Sequence, residues 1–232
     1  MNWVAKLRRG EGPFWGRLKQ LARWALSAHI PAGGAARPIF RLLYRAHVLA
    51  RETAIWAARF FWYEPLFRSQ CESVGPGFQM EQLPYLQGIG RIVIGSNVRL
   101  SGKPSISFSS RVDVAPELVI GDGTFIGHQC GFNIMRSVRI GKHCLLAGGV
   151  RVLDMDGHPT NAQDRRAGLP TPPDGGRPVV IGDDVWIGTG AVILKGASIG
   201  DRSIVAAESV VTRPVPADVV VAGNPARVVK SL

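Results

Sequence analysis

The run Val152-Leu153-Asp154-Met155-Asp156-Gly157-His158 sets a histidine two residues behind one aspartate and four behind another. An imidazole titrates near neutrality, so His158 is suited to take a proton from a hydroxyl or an amine. A carboxylate on its second ring nitrogen would fix the tautomer and stabilise the imidazolium. Asp154 and Asp156 are both candidates, and the sequence does not choose between them. His158 also opens the stretch HPTNAQDRRAGLPTPPDGGRP, residues 158–178, dense in Pro, Gly and charge. A long irregular segment expelled from ordered structure commonly carries function, and it can turn the ring toward a cleft.

The elements that must position this group announce themselves by a period of six. From Ile181 the chain reads IGDDVW, IGTGAV, ILKGAS, IGDRSI, VAAESV, VT. Aliphatic residues return at Ile181, Ile187, Ile193, Ile199, Val205 and Val211. Small or β-branched residues follow four places later, at Val185, Ala191, Ala197, Ser203 and Ser209. Neither an amphipathic helix nor an alternating strand has this period. A solenoid of short strands and tight turns does, with three sixes completing one three-sided coil. Gly182, Gly188 and Gly200 then read as turn residues in a backbone conformation that side chains disfavour. The phase also runs from Ile94, Leu100 and Ile106, from Ile120, Ile126 and Phe132, and from Ile140, Leu146 and Val152. An irregular joint at Val112–Val119 and a two-residue insertion near Ser137–Val138 interrupt it. Counting that insertion, Asn133 lies about one coil before Leu153, where it can face the same cleft and hold an acceptor.

The first 70 residues differ in chemistry. They carry twelve Lys and Arg against three Glu, and twelve of the eighteen aromatic residues, in a chain of net charge +11. Helices are predicted over 14–28, after Pro13, and from about 38 to 63. In the second, Leu42, Leu49, Trp56 and Phe60 share one face, and Arg41, Arg45, Glu52 and Arg59 another. Basic, Trp-rich and amphipathic helices suit the surface of a membrane, or packing on the solenoid or a neighbouring copy. No uncharged apolar run is long enough to span a bilayer, and no nucleic-acid motif accompanies the charge. Arg8-Arg9 leads into Gly-Glu-Gly-Pro, which is not the apolar core of a secretion signal. Cys71, Cys130 and Cys144 form no CxxC pair, so a reducing compartment is the simpler expectation. The expected organisation is a basic helical region over 1–85 and a β-helix over 86–232, with the loop 158–178 and a C-terminal tail.

The segment IGDDVWIGTGAVILKGASIGDRSIVAAESVVTRPVPADVVVAGNPARVVK resembles the hexapeptide-repeat acyltransferases, and the likeness extends over about residues 90–230. RVLDMDGHPT followed by a loop and RPVVIGDDVWIG resembles the branch that acetylates sugars and polysaccharide precursors. The resemblance implies a mainly β fold, a left-handed parallel β-helix, with the helical appendage outside the family pattern. It implies a homotrimer, acetyl-CoA in a groove between neighbouring prisms, a histidine base and no metal. Carried over position by position, it places Trp186, Gly188, Thr189, Ala206, Ala207 and Thr212 along the pantetheine arm, and Arg213, Arg227 and Lys230 at the phosphates. The acceptor it implies is a saccharide, and the basic helices place that acceptor at the cytoplasmic face of a membrane. Alternatives are a small soluble acceptor (serine, an antibiotic or a sugar nucleotide), a silent trimeric scaffold, and a zinc hydro-lyase using His128, His143 and His158. The fifteen-residue spacing of those histidines does not follow the coil period, so they are not expected on one face.

Overall fold

The computed structural model describes residues 3–10, 12–109 and 115–232. Residues 112–114 of the expected irregular joint lie outside them. The chain divides into two compact units, 1–53 and 54–232.

The first unit is helical. Helix α1 spans Trp3–Arg9. Helix α2, Pro13–Ser27, starts on a proline whose missing N–H costs a first turn nothing. Helix α3, Arg37–Ala58, is a single 22-residue helix that runs on into the second unit. The apolar face expected from the sequence is uncovered, with Leu42 and Leu49 about two-thirds exposed and Trp56 half exposed. No helix among the described residues is long and apolar enough to cross a membrane.

In the second unit the end of α3 is followed by a π-helical turn, Arg59–Tyr63, and α4, Glu64–Arg68. Phe67 is fully buried and stacks on Phe78 with centroids 5.6 Å apart, so α4 closes the end of the first coil. Three sheets follow, parallel except for the last strand. Sheet A holds β1 Ser73–Val74, β4 Arg91–Ile94, β7 Glu117–Ile120, β10 Ser137–Ile140, β13 Val179–Ile181 and β16 Ser198–Ile199. Sheet B holds β2 Gln79–Met80, β5 Arg99–Leu100, β8 Phe125–Ile126, β11 Leu145–Leu146, β14 Trp186–Ile187, β17 Ile204–Val205, β19 Val219–Gly223 and the antiparallel β20 Ala226–Ser231. Sheet C holds β3 Tyr85–Gln87, β6 Ser105–Phe108, β9 Gly131–Ile134, β12 Arg151–Leu153, β15 Val192–Ile193 and β18 Val210–Val211. Each coil visits A, B and C in turn, so that as far as β18 every sheet advances by every third strand.

The six-residue aliphatic series is the core: Ile181, Ile187, Ile193, Ile199, Val205 and Val211 are all buried, and so are the small residues four places on. Cys130 and Cys144 also point inward, and burial raises both thiols to about 11. The coil begins at Ser73, before the expected boundary at 85/86. Val74, Met80 and Leu86 already keep the six-residue spacing there, and Gly75 follows Val74 as Gly182 follows Ile181, while Met80 and Leu86 are followed by Glu81 and Gln87.

The reading of the turn glycines needs correction. Gly182, Gly188 and Gly200 do not have positive φ; the left-handed positions are Asp184, Gly190 and Arg202, two residues further on in each case. Glycine is required because the next coil passes too close. A Cβ on Gly182 would lie 2.2 Å from Asp201 Oδ1, and one on Gly188 2.5 Å from the Ala207 nitrogen.

Candidate active site

The corner from sheet C to sheet A is where the coil departs from its repeat. Strand β9 runs past it with two extra residues, Met135 and Arg136, before β10. One coil on, Asp154 at the end of β12 is fully buried. Its carboxylate accepts the amides of Met135 at 2.6 Å, Arg136 at 2.7 Å and Ser137 at 2.8 Å. Burial pushes its carboxyl above the usual aspartate value, and the three amides oppose that shift. The Asp154 amide donates to Asn133 O, and its carbonyl accepts Arg177 N–H at 2.7 Å. Asp154 thus ties the insertion to both ends of the expelled loop.

Further contacts close the neck of the loop. Met155 bridges Gly176. The Arg136 guanidinium donates to Gly176 O at 3.1 Å and Pro173 O at 2.7 Å. Lys195 forms an ion pair with Asp156 and also reaches Gly175 O at 3.3 Å. Within the loop, α5, Ala162–Arg166, is capped by Asn161 Oδ1, which accepts Gln163 N–H at 2.8 Å. Arg165 donates to the carbonyls of Pro159 and Thr160, fixing the residues just after the histidine.

His158 stands at the mouth of this neck, exposed, and its ring takes part in no hydrogen bond or ion pair among the described residues. The expectation that Asp154 or Asp156 holds the imidazole is not met within the chain. Asp154 is committed to backbone amides and Asp156 to Lys195. The buried Asp154 and the more exposed Asp156 both fasten the neck, and the histidine lies beyond them in the chain. Asn133 is where the coil count put it. It pairs in register with Leu153 above and Ser107 below, its side chain exposed on the outer face of sheet C. Lys195 and Arg136 escaped the sequence reading. Lys195 meets Asp156 only because the loop between them is ejected whole, and its length hides their one-coil offset.

The nine positions expected along a coenzyme fall in three places. Trp186, half exposed, lies on the outer face of sheet B in one ladder with Ile204, Val220 and Lys230. Arg227 is on the same terminal strand. Gly188, Thr189, Ala206 and Ala207 stack at the corner from B to C, with Gly188 buried and Thr189 and Ala207 exposed. Thr212 and Arg213 follow β18 at the corner from C to A, both exposed. Arg213 and Lys230 make no ion pair among the described residues. The other two histidines considered with His158 lie at different corners. His128, between B and C, contacts Ser101 Oγ at 3.1 Å, and His143 occupies a left-handed turn position between A and B. Among the described residues no group of three His, Cys, Asp or Glu is placed to hold a metal.

Comparison with known proteins agrees with this fold. Residues 178–213 match the family model described as bacterial transferase hexapeptide (six repeats), and residues 117–153 match the hexapeptide repeat of succinyl-transferase. A hexapeptide-repeat-containing acetyltransferase from Vibrio cholerae superposes with TM-score 0.53 and 30% identity, over 73% of this chain and 78% of that one. A maltose O-acetyltransferase from Clostridium difficile gives TM-score 0.51 and 31% identity, over 73% and 74%. By sequence, a putative acetyltransferase of Saccharomyces cerevisiae is 38% identical over 52% of this chain and 59% of its own length. The galactoside O-acetyltransferase of Escherichia coli is 40% identical over 41% and 45%. The chain spans 59–62% of the length of the first curated relatives it matches.

Proposed function

We propose that this chain, which belongs to the hexapeptide-repeat acyltransferases and has their left-handed parallel β-helix, moves an acetyl group from acetyl-CoA to a hydroxyl of a saccharide. The observation that carries the reading is the register of sheet C. It sets the exposed Asn133 beside Leu153, five residues before His158, and the neck contacts of Met155 and Asp156 hold the chain just ahead of that exposed ring. In this mechanism Asn133 orients the acceptor. His158 removes the hydroxyl proton as oxygen attacks the thioester carbonyl. Collapse of the tetrahedral intermediate breaks the C–S bond, and the same proton passes to the departing thiolate.

The coenzyme residues sit on different corners of one chain, so we assign the groove to two copies in a homotrimer. One contributes the B-to-C corner and the face bearing Trp186; another contributes His158. The cationic ends of that groove, Arg213, Arg227 and Lys230, suit phosphates. The test is thiol release from acetyl-CoA with candidate sugars, alongside sedimentation. Release lost in His158→Ala with the trimer intact supports the reading; release unchanged in that variant removes it.

The uncovered apolar face of α3, flanked by arginines, favours a peripheral site on the inner face of the cytoplasmic membrane, hence a lipid-linked or polymeric acceptor. Deleting residues 1–53 should release the protein from anionic vesicles while acetyl-CoA binding persists. Equal vesicle binding by the truncated chain would instead leave a soluble acceptor.

A further inference from the structure

We infer that the outer face of sheet C is a track for an extended saccharide, so that the acceptor engages several sugar units and not one. The inference rests on the acetyl-transfer reading above.

Two outward ladders run down this face in unbroken register. One is Tyr85, Ser105, Gly131 and Arg151; the other is Gln87, Ser107, Asn133 and Leu153. Rungs of a parallel sheet lie about 4.8 Å apart, so each ladder covers about 14 Å. In the first ladder the side chains shrink to a hydroxymethyl and a hydrogen between Tyr85 and Arg151. The result is a trough with a ring at one end and a guanidinium at the other.

Gly131 is the informative residue. Its φ is not positive. A Cβ there would meet only Ser105 Oγ at 3.4 Å and Arg151 Cγ at 3.7 Å, which is ordinary contact. Gly182, Gly188 and Gly200 are demanded by close approach of the following coil, and others by a positive φ; neither applies to Gly131. Glycine weakens a strand, and where the fold does not require it, it marks the close approach of something else.

The chemistry along the trough is that of sugar recognition. The second ladder presents amide, hydroxyl and amide groups at Gln87, Ser107 and Asn133, and Ser107 Oγ lies 3.4 Å from Gln87 Oε1. Tyr85 is 56% exposed and borders a concavity of about 380 Å³ with Tyr63, Gln82 and Lys103. Its ring can stack on the C–H face of a sugar while the ladder bonds hydroxyls. A peptide fits less well. The strand backbones are already paired within the sheet, and the trough offers no alternating apolar pockets. A hexose is about one rung long, so a monosaccharide held at Asn133 would leave Ser107, Gln87 and Tyr85 unused.

The experiment uses the full chain, acetyl-CoA, and glucose, galactose and N-acetylglucosamine oligosaccharide series of one to six units, with thiol release as readout. The expected result is a kcat/KM about tenfold higher for a tri- or tetrasaccharide than for the monosaccharide of the same series, the scale of one good added contact. Tyr85→Ala, a surface change, and Gly131→Gln, which fills the trough, should each bring that ratio close to one. A ratio near one in the wild type, or a ratio that survives both variants, overturns the track alone. No release with any sugar overturns the acetyl-transfer reading and the track with it.

Discussion

The corner from sheet A to sheet B and the corner from sheet C to sheet A join strands of the same kind, yet they are built on opposite plans. At the first, coil after coil repeats glycine, then a side chain that reaches the coil before it. Asp122 accepts the Ser96 amide, Asp183 that of Lys142 and Asp201 that of Asp183, at 2.7–2.9 Å. A left-handed residue comes next. At the second, Gly88 has a positive φ, Met135 and Arg136 are inserted, the loop of 158–178 is expelled, and Lys195 pairs across a coil. In a solenoid each coil is supported mainly by its neighbours. One regular corner and a regular core suffice to hold the stack, which leaves another corner free to carry chemistry.

The strongest attempt to break this contrast is His158→Ala. Turnover should fall about 1,000-fold, with the melting temperature unchanged in calorimetry; a large drop in melting temperature would make the irregular corner structural. Asp154→Ala should cost about 3 kcal/mol in denaturant unfolding, because three amides lose their acceptor, and activity should fall as well. Gly182→Val tests the regular corner. Crowding against Asp201 should cost about 2 kcal/mol, with kcat of the folded fraction retained. Lys195→Met should change stability by less than about 1 kcal/mol and lower kcat/KM a few-fold as the neck loosens. The smallest effect is on pH dependence. Asp154 holds its proton more tightly folded than unfolded, so its ionisation weakens the fold as pH rises from the ordinary aspartate value to the raised one. Asp122, held low first by the Ser96 amide, acts oppositely: its contribution is present above the ordinary value and lost as pH falls through the lowered one. In Asp154→Asn, stability measured across mildly acidic pH should therefore rise more steeply with pH than in the wild type.

What could be read without coordinates follows the same division. The inward series from Ile181 to Val211 was visible because every coil repeats the same packing problem. Asn133 was placed opposite Leu153 by counting coils through an insertion. Asp154 looked like a partner for the histidine because the sequence shows proximity along the chain and not direction. A buried carboxylate facing three amides has no signature in one dimension. The first coil is harder to read because only Val74 is followed by glycine, Gly75, and the step from Leu86 to Ile94 is eight residues instead of six. The role of the turn glycines was misread because the constraint on them comes from a neighbouring coil, 17 to 19 residues away at Gly182 and Gly188.

The two ends of the stack have a consequence for assembly. Parallel coils present edges that another copy could extend, the route by which repeating β structures grow into fibres. Here α4 seals one end with Phe67, and β20 turns back at the other, running against the direction of every strand before it. A reversed strand bearing Arg227 and Lys230 is a poor template for a further forward coil. The far edge of sheet B is therefore closed to a further forward strand.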